Sequence, residues 1–183
     1  MNIPNTLTVA RILMIPFFVL AFYLPLPGHY WAAAFVFLLA AGTDWLDGFL
    51  ARLLKQSSPF GEFLDPVADK LMVAVALVAI VGHFHGALLA LPVAVIIARE
   101  ITVSALREWM AEMGKRASVA VSWLSKLKTV LQMIAVTVLL LCAVPSLQGY
   151  YWIGLLLMYA AALLTLWTMA MYLKVAWPAL QLD

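Results

Sequence analysis

Three stretches of this chain hold no Asp, Glu, Lys or Arg at all: residues 12–43, 71–98 and 129–173. A helix that faces water on one side needs charge on that side, so blocks this long exclude an ordinary soluble fold. Each block has helix-breaking or polar residues near its middle: LPLPGHY at 24–30, GHFHGA at 82–87 and VPSLQGYY at 144–151. Each therefore reads as a hairpin of two membrane-spanning helices, six spans in total. Composition agrees: the chain is 66% hydrophobic and 11% charged, where soluble domains carry roughly a quarter charged residues. Seven Trp and six Tyr suit a protein with two membrane–water interfaces.

The turns inside the blocks are free of charge, and all eleven bases lie at the opposite ends: Arg11, Arg52, Lys55, Lys70, Arg99, Arg107, Lys115, Arg116, Lys126, Lys128 and Lys174. The positive-inside rule makes that side cytoplasmic. The expected fold is thus all-α, one polytopic integral-membrane domain over residues 1–183 with six transmembrane helices and both termini cytoplasmic. The first apolar run reads as a retained span, since no short apolar run ending in a cleavage site stands out. A net charge of +2 gives no reason to expect nucleic acid as a partner. The single Cys142 excludes an intramolecular disulfide and reads as a small buried hydrophobe.

Length then moves some charges onto helices. A span needs about 20 residues, but the first two blocks, less their turns, leave only about 13 and 11 per helix. The second span should run from about Tyr30 through Arg52, the third from about Leu64 to Val81, and the fourth from about Leu88 to Trp109. Asp44, Asp47, Asp65, Asp69 and Arg99 then sit on helices at the cytoplasmic boundary. KQSSPFGE should be a tight connector ending near Gly61, and residues 110–125 a cytoplasmic link broken at Gly114.

Residues three and four apart share a helix face. Asp44, Asp47 and Ala51 make one stripe with Gly48 beside it, and Asp65 and Asp69 make another. A short connector sets these helices antiparallel, so four carboxylates can face one cleft. Such a group must protonate, pair with bases or bind cations. An all-oxygen set with no nearby His or Cys suits Mg²⁺ or Mn²⁺, and two such ions about 4 Å apart can clamp a phosphoryl group. Gly48 and Ala51 leave the backbone approachable, Gly61 does the same where the connector ends, and Arg52 can meet a phosphate. A purely structural set, paired with Arg52, Lys55, Lys70 and Arg99, is the plainer reading. Four acids at helical spacing near the membrane argue against it. A divalent-cation carrier is a further reading, but no charged group continues a polar route into the outer half of any span.

Asp44-x2-Asp47-Gly48-x2-Ala51-Arg52-x8-Gly61-x3-Asp65-x3-Asp69 resembles the signature of the CDP-alcohol phosphatidyltransferase family at every fixed position. NTLTVARI, REITVSALREW and SKLKT resemble the bacterial inner-membrane branch whose acceptor is glycerol 3-phosphate. The resemblance implies a six-span homodimer with a cytoplasm-facing cleft. It implies that Asp44, Asp47, Asp65 and Asp69 hold one or two Mg²⁺ or Mn²⁺ ions, with Asp69 also the catalytic base. Gly48, Ala51, Arg52 and Gly61 would line the CDP-diacylglycerol site, with Asn5 and Thr8 at its nucleotide end. Arg107 and Lys128, then Arg116 and Lys126, would bind the acceptor's phosphate. The implied reaction gives phosphatidylglycerophosphate and CMP; inositol phosphate or serine is the alternative acceptor.

Between residues 99 and 128 six bases face three acids, an excess suited to a phosphate-bearing acceptor, although positive-inside bias alone produces a similar excess. Arg99–Glu100 can equally be an ion pair bracing the fourth span. His83-x-His85 lacks a third ligand nearby and reads as a polar turn. Ala32–Ala34 and residues 40–43 read as close helix packing, and Trp152, Trp167 and Trp177 as interface anchors or packing residues.

Overall fold

Proline and glycine fix where the helices stop. In the computed structural model, residues 3–54, 59–112 and 123–180 are described, and no strand occurs among them. Inside those ranges the side chains of 3–5, 7, 44–54, 59–63, 65, 66, 69, 107, 111, 124, 125 and 175–180 lie outside the description. The helices are α1 (Ile3–Tyr23), α2 (His29–Leu54), α3 (Pro59–Phe84), α4 (Ala87–Glu112), α5 (Trp123–Cys142) and α6 (Tyr151–Leu180).

After α1, Pro25 and Pro27 cannot donate backbone hydrogen bonds, and Gly28 takes φ +75°, a conformation that costs a residue with a Cβ. The Gly28 carbonyl then accepts the Ala32 amide at 3.1 Å and opens α2. Only His85 and Gly86 separate α3 from α4. His85 adopts φ +48°, and the Gly86 carbonyl accepts the amides of Leu89 and Ala90 at 3.1 and 3.0 Å. Pro145–Tyr150 forms a short 3₁₀ helix between α5 and α6. All three expected breaks are therefore present. The helices run longer than expected: α3 ends at Phe84 and α4 at Glu112, and α3 begins at Pro59, so Gly61 lies in its first turn instead of ending a connector. Proline is well accommodated at the first helical position, where its missing N–H would have had no partner. Residues 55–58 and 113–122, which include Gly114 and Arg116, lie outside the described residues.

The chain divides into two compact units, Met1–His83 with Thr137–Tyr150, and Phe84–Val136 with Tyr151–Asp183. In the first, α1 packs on α2. Its core includes Phe18 and Phe22 of α1, Ala33, Ala34, Phe37 and Ala40 of α2, and Ala68, Met72, Ala76 and Ile80 of α3. The alanines allow close approach between helices, where attraction comes from packing more than from water exclusion.

In the second unit α4 packs on α6. Pro92 lies inside α4, and a proline leaves the carbonyl four residues earlier without its helical donor. That carbonyl belongs to Leu88, and the Tyr159 hydroxyl of α6 donates to it at 2.9 Å. The α4–α6 contact thus repairs the defect that Pro92 makes.

Large apolar side chains cover the outside of these helices, among them Phe17, Phe35, Val78, Ile101, Leu156, Leu163 and Trp167, each more than 60% exposed. Lipid is the medium in which such a surface is stable. Ala87–Met110 and Pro145–Lys174 are long and apolar enough to cross a membrane; Thr8–Tyr23, His29–Thr43 and Lys70–Phe84 are shorter apolar stretches.

Candidate functional site

An aromatic anchor sets the register of the first unit. Tyr30 in the first turn of α2 hydrogen-bonds His83 Nδ1 in the last turn of α3 at 3.3 Å. The Phe22 ring of α1 stands edge-on to both, 5.4 Å from Tyr30 and 5.9 Å from His83. His29 Nδ1–H donates to the Phe22 carbonyl at 3.0 Å. His83 therefore lies in the last turn of α3 within a packed cluster and not in the polar turn expected of it, whereas His85 lies in the turn and is exposed.

Counting away from this anchor gives the same interval three times. Fourteen residues separate Tyr30 from Asp44, His83 from Asp69, and Phe22 from Thr8. At the α-helical rise each interval spans about 21 Å, so straight helices leaving the anchor side by side would bring positions 8, 44 and 69 to a common depth. Their faces agree too. On α2 the buried residues Ala33, Phe37 and Ala40 step by four and three, and positions 44 and 47 continue that stripe. On α3, Met72 and Ala76 extend backward to positions 69 and 65 in the same way. The side chains of Asp44, Asp47, Asp65 and Asp69 lie outside the description, as do those of Gly48, Ala51 and Arg52 on α2, Gly61 on α3 and Asn5 on α1.

Thr8 and Arg11 of α1 are described and buried, 0% and 1% exposed, on the same stripe as Phe18 and Phe22. Both have polar or electrostatic partners. Arg11 drew no attention in the sequence beyond being one base among eleven. Its signal was spacing: it follows Thr8 by three residues and precedes Phe18 by seven.

The second unit holds a different charged group. Arg99 and Glu100 lie on α4 and Lys128 on α5. Arg99 Nη1 donates to Glu100 Oε1 at 2.7 Å, and Lys128 Nζ donates to the same oxygen. The residues Arg99 and Lys128 are 7% and 4% exposed. The ion pair expected to brace the fourth span is present, and it extends to Lys128 of another helix. Lys126, two residues from Lys128 and so on another face, is exposed. Arg107 lies on α4 with its side chain outside the description, and Arg116 lies outside the described residues.

The Tyr30–His83 bond joins the far ends of the two helices that carry the four aspartates. If those aspartates gathered, they would offer oxygen alone, a set that would fit Mg²⁺ or Mn²⁺ and not a thiolate- or imidazole-seeking metal. Among the described residues, no three His, Cys, Asp or Glu side chains gather as a metal site.

Residues 1–167 match the family described as CDP-alcohol phosphatidyltransferase. A Sodalis glossinidius protein named CDP-diacylglycerol–glycerol-3-phosphate 3-phosphatidyltransferase is 57% identical over 176 residues, covering 96% of this chain and 95% of that protein. Proteins of the same name from Escherichia coli strain K12 and Shigella flexneri serotype 5b are each 55% identical over 175 residues, covering 96% of this chain and 94% of theirs. With a family match over residues 1–167 and relatives of that family 55–57% identical along nearly their whole length, the chain belongs to the CDP-alcohol phosphatidyltransferase family.

Proposed function

We propose that this chain transfers the phosphatidyl group of CDP-diacylglycerol to sn-glycerol 3-phosphate, giving phosphatidylglycerophosphate and CMP. The observation that carries the reading is identity of 55–57% to enzymes of that name over nearly their whole length. The complete eight-residue signature on α2 and α3 supports it. Divalent-cation dependence is general in the family. Asp44, Asp47, Asp65 and Asp69 would hold one or two Mg²⁺ or Mn²⁺ ions, which when bound neutralise the diphosphate and the leaving CMP.

The remaining work falls to the chain's own residues. Asp69 takes the proton of the acceptor hydroxyl as its oxygen bonds to the diacylglycerol-bearing phosphorus, and the bond from that phosphorus to CMP breaks. Gly48, Ala51 and Gly61 let the diphosphate approach the backbone, and Arg52 pairs with it. Asn5 and Thr8 meet the nucleotide end; the burial of Thr8, as far along its helix from the anchor as Asp44 and Asp69 are along theirs, supports that place. Lys128 and Arg107, with Arg116 and Lys126, receive the acceptor's phosphate.

A cleft at the cytoplasmic boundary suits one substrate with two acyl chains and another that is fully water-soluble. The reading therefore includes one domain over 1–183, six spans, cytoplasmic termini, a homodimer, and a place in the bacterial inner membrane with the site facing the cytoplasm. The apolar exterior and the distribution of bases support it.

Purified protein incubated with CDP-diacylglycerol, Mg²⁺ and a panel of alcohols tests the function. CMP release is expected with glycerol 3-phosphate. Release only with inositol phosphate or serine would reassign the acceptor, and no release with any alcohol would remove the transferase reading.

A further inference from the structure

Glu100 offers one oxygen to two cations. Oε1 accepts from Arg99 Nη1 and from Lys128 Nζ, donors that come from different helices. The two cationic side chains are 8% and 5% exposed, whereas that of Glu100 is 26% exposed. Two fixed cationic donors converging on one anionic oxygen form an arrangement that also suits a phosphate oxygen. Arg99, Lys128 and Glu100 themselves sum to two positive charges against one negative, and Lys128 has a further partner besides. Arg99 Nε is also buried and has no hydrogen-bond partner among the described residues, so the guanidinium retains donor capacity beyond Glu100. A pair built only to brace helices would be expected to satisfy its buried donors.

We propose that Glu100 is a placeholder. Its carboxylate occupies the position between Arg99 and Lys128 that a phosphate oxygen of the acceptor takes, and it withdraws toward its more exposed side when that anion arrives. This rests on the acceptor-phosphate reading of Lys128 and adds Arg99 and Glu100 to it. The arrangement filters acceptors. A doubly charged phosphomonoester can displace a carboxylate from two buried cations, whereas an uncharged alcohol brings nothing to exchange for it.

Glu100→Gln keeps the shape and an acceptor oxygen but removes the competing charge. The probe is inorganic phosphate, used as an inhibitor of the full-length enzyme with each substrate varied in turn. In the parent enzyme phosphate should compete with glycerol 3-phosphate. In Glu100→Gln, the phosphate Ki and the glycerol 3-phosphate KM should both fall about fivefold, with the CDP-diacylglycerol KM moving less than about twofold. Unchanged or raised values overturn the placeholder, because a bracing residue would weaken the site when lost. Competition against CDP-diacylglycerol overturns it too, assigning these cations to the donor's diphosphate. If Glu100→Gln does not fold, Glu100→Asp withdraws the carboxylate by one methylene and should shift both values in the same direction, by less. No shift there is equally fatal. Lys128→Ala separates the two levels of argument. If it leaves the glycerol 3-phosphate KM unmoved, the acceptor reading itself fails. If it raises that KM while Glu100→Gln does not lower it, only the placeholder fails.

Discussion

The proposed reaction asks two things of Asp69, to hold an ion and to receive a proton. Asparagine keeps its size and one oxygen donor but cannot take the proton. Asp69→Asn should therefore lower kcat by about 10²- to 10⁴-fold, while binding of CDP-diacylglycerol, followed by equilibrium binding of a radiolabelled lipid, largely survives. Retained turnover would remove the base role. The aspartates could be recognised in the sequence because fixed local spacing is what a helix converts into a shared face. Arg11 and Glu100 could not be weighed that way. Burial of Arg11 to 1% exposure and the bond from Lys128 to Glu100, 28 residues away, are products of tertiary packing. Locally, Arg11 looks like any other charge near a membrane boundary, and Glu100 shows only its pairing with the adjacent Arg99.

At the scale of elements, the order of helices and all three breaks were legible because Pro and Gly act on the backbone regardless of what surrounds them. The start of α3 at Pro59 was not, since a proline marks the first turn of a helix as readily as the loop before it. The partnership of α4 with α6 was also hidden, and it makes a sharp prediction. Tyr159→Phe should destabilise the fold by about 1–2 kcal/mol, leaving the Leu88 carbonyl without a donor. Replacing Pro92 with Ala restores the N–H that this carbonyl lacks. In the Pro92→Ala background, Tyr159→Phe should therefore cost much less. Thermal unfolding of the four proteins in one detergent reads the coupling, and equal costs in both backgrounds would mean that the hydroxyl is not covering for the proline.

For the whole molecule, the surface is the main physical fact: among the described residues, each unit exposes large apolar side chains, Leu and Trp in both, and buries only a few charges, Arg11 in the first and Arg99 and Lys128 in the second. Six spans with cytoplasmic termini predict how cysteine scanning should turn out. With Cys142 replaced by Ala, Leu26→Cys, His85→Cys and Ser146→Cys should react with a membrane-impermeant maleimide in spheroplasts. Lys126→Cys should react only after the membrane is opened. External labelling at Lys126 would invert the topology and move the proposed cleft away from its soluble substrate.

The shared interval from the aromatic anchor to positions 8, 44 and 69 has an evolutionary corollary. Dropping or adding one residue between Tyr30 and Asp44 would swing both acids of α2 by about 100° around its axis and slide them by about 1.5 Å. No side-chain rotation could undo such a change. If the proposed site holds, descendants of this gene can lengthen the turns at Gly28 and Gly86 far more freely than these three half-helices, which are closed to insertion and deletion.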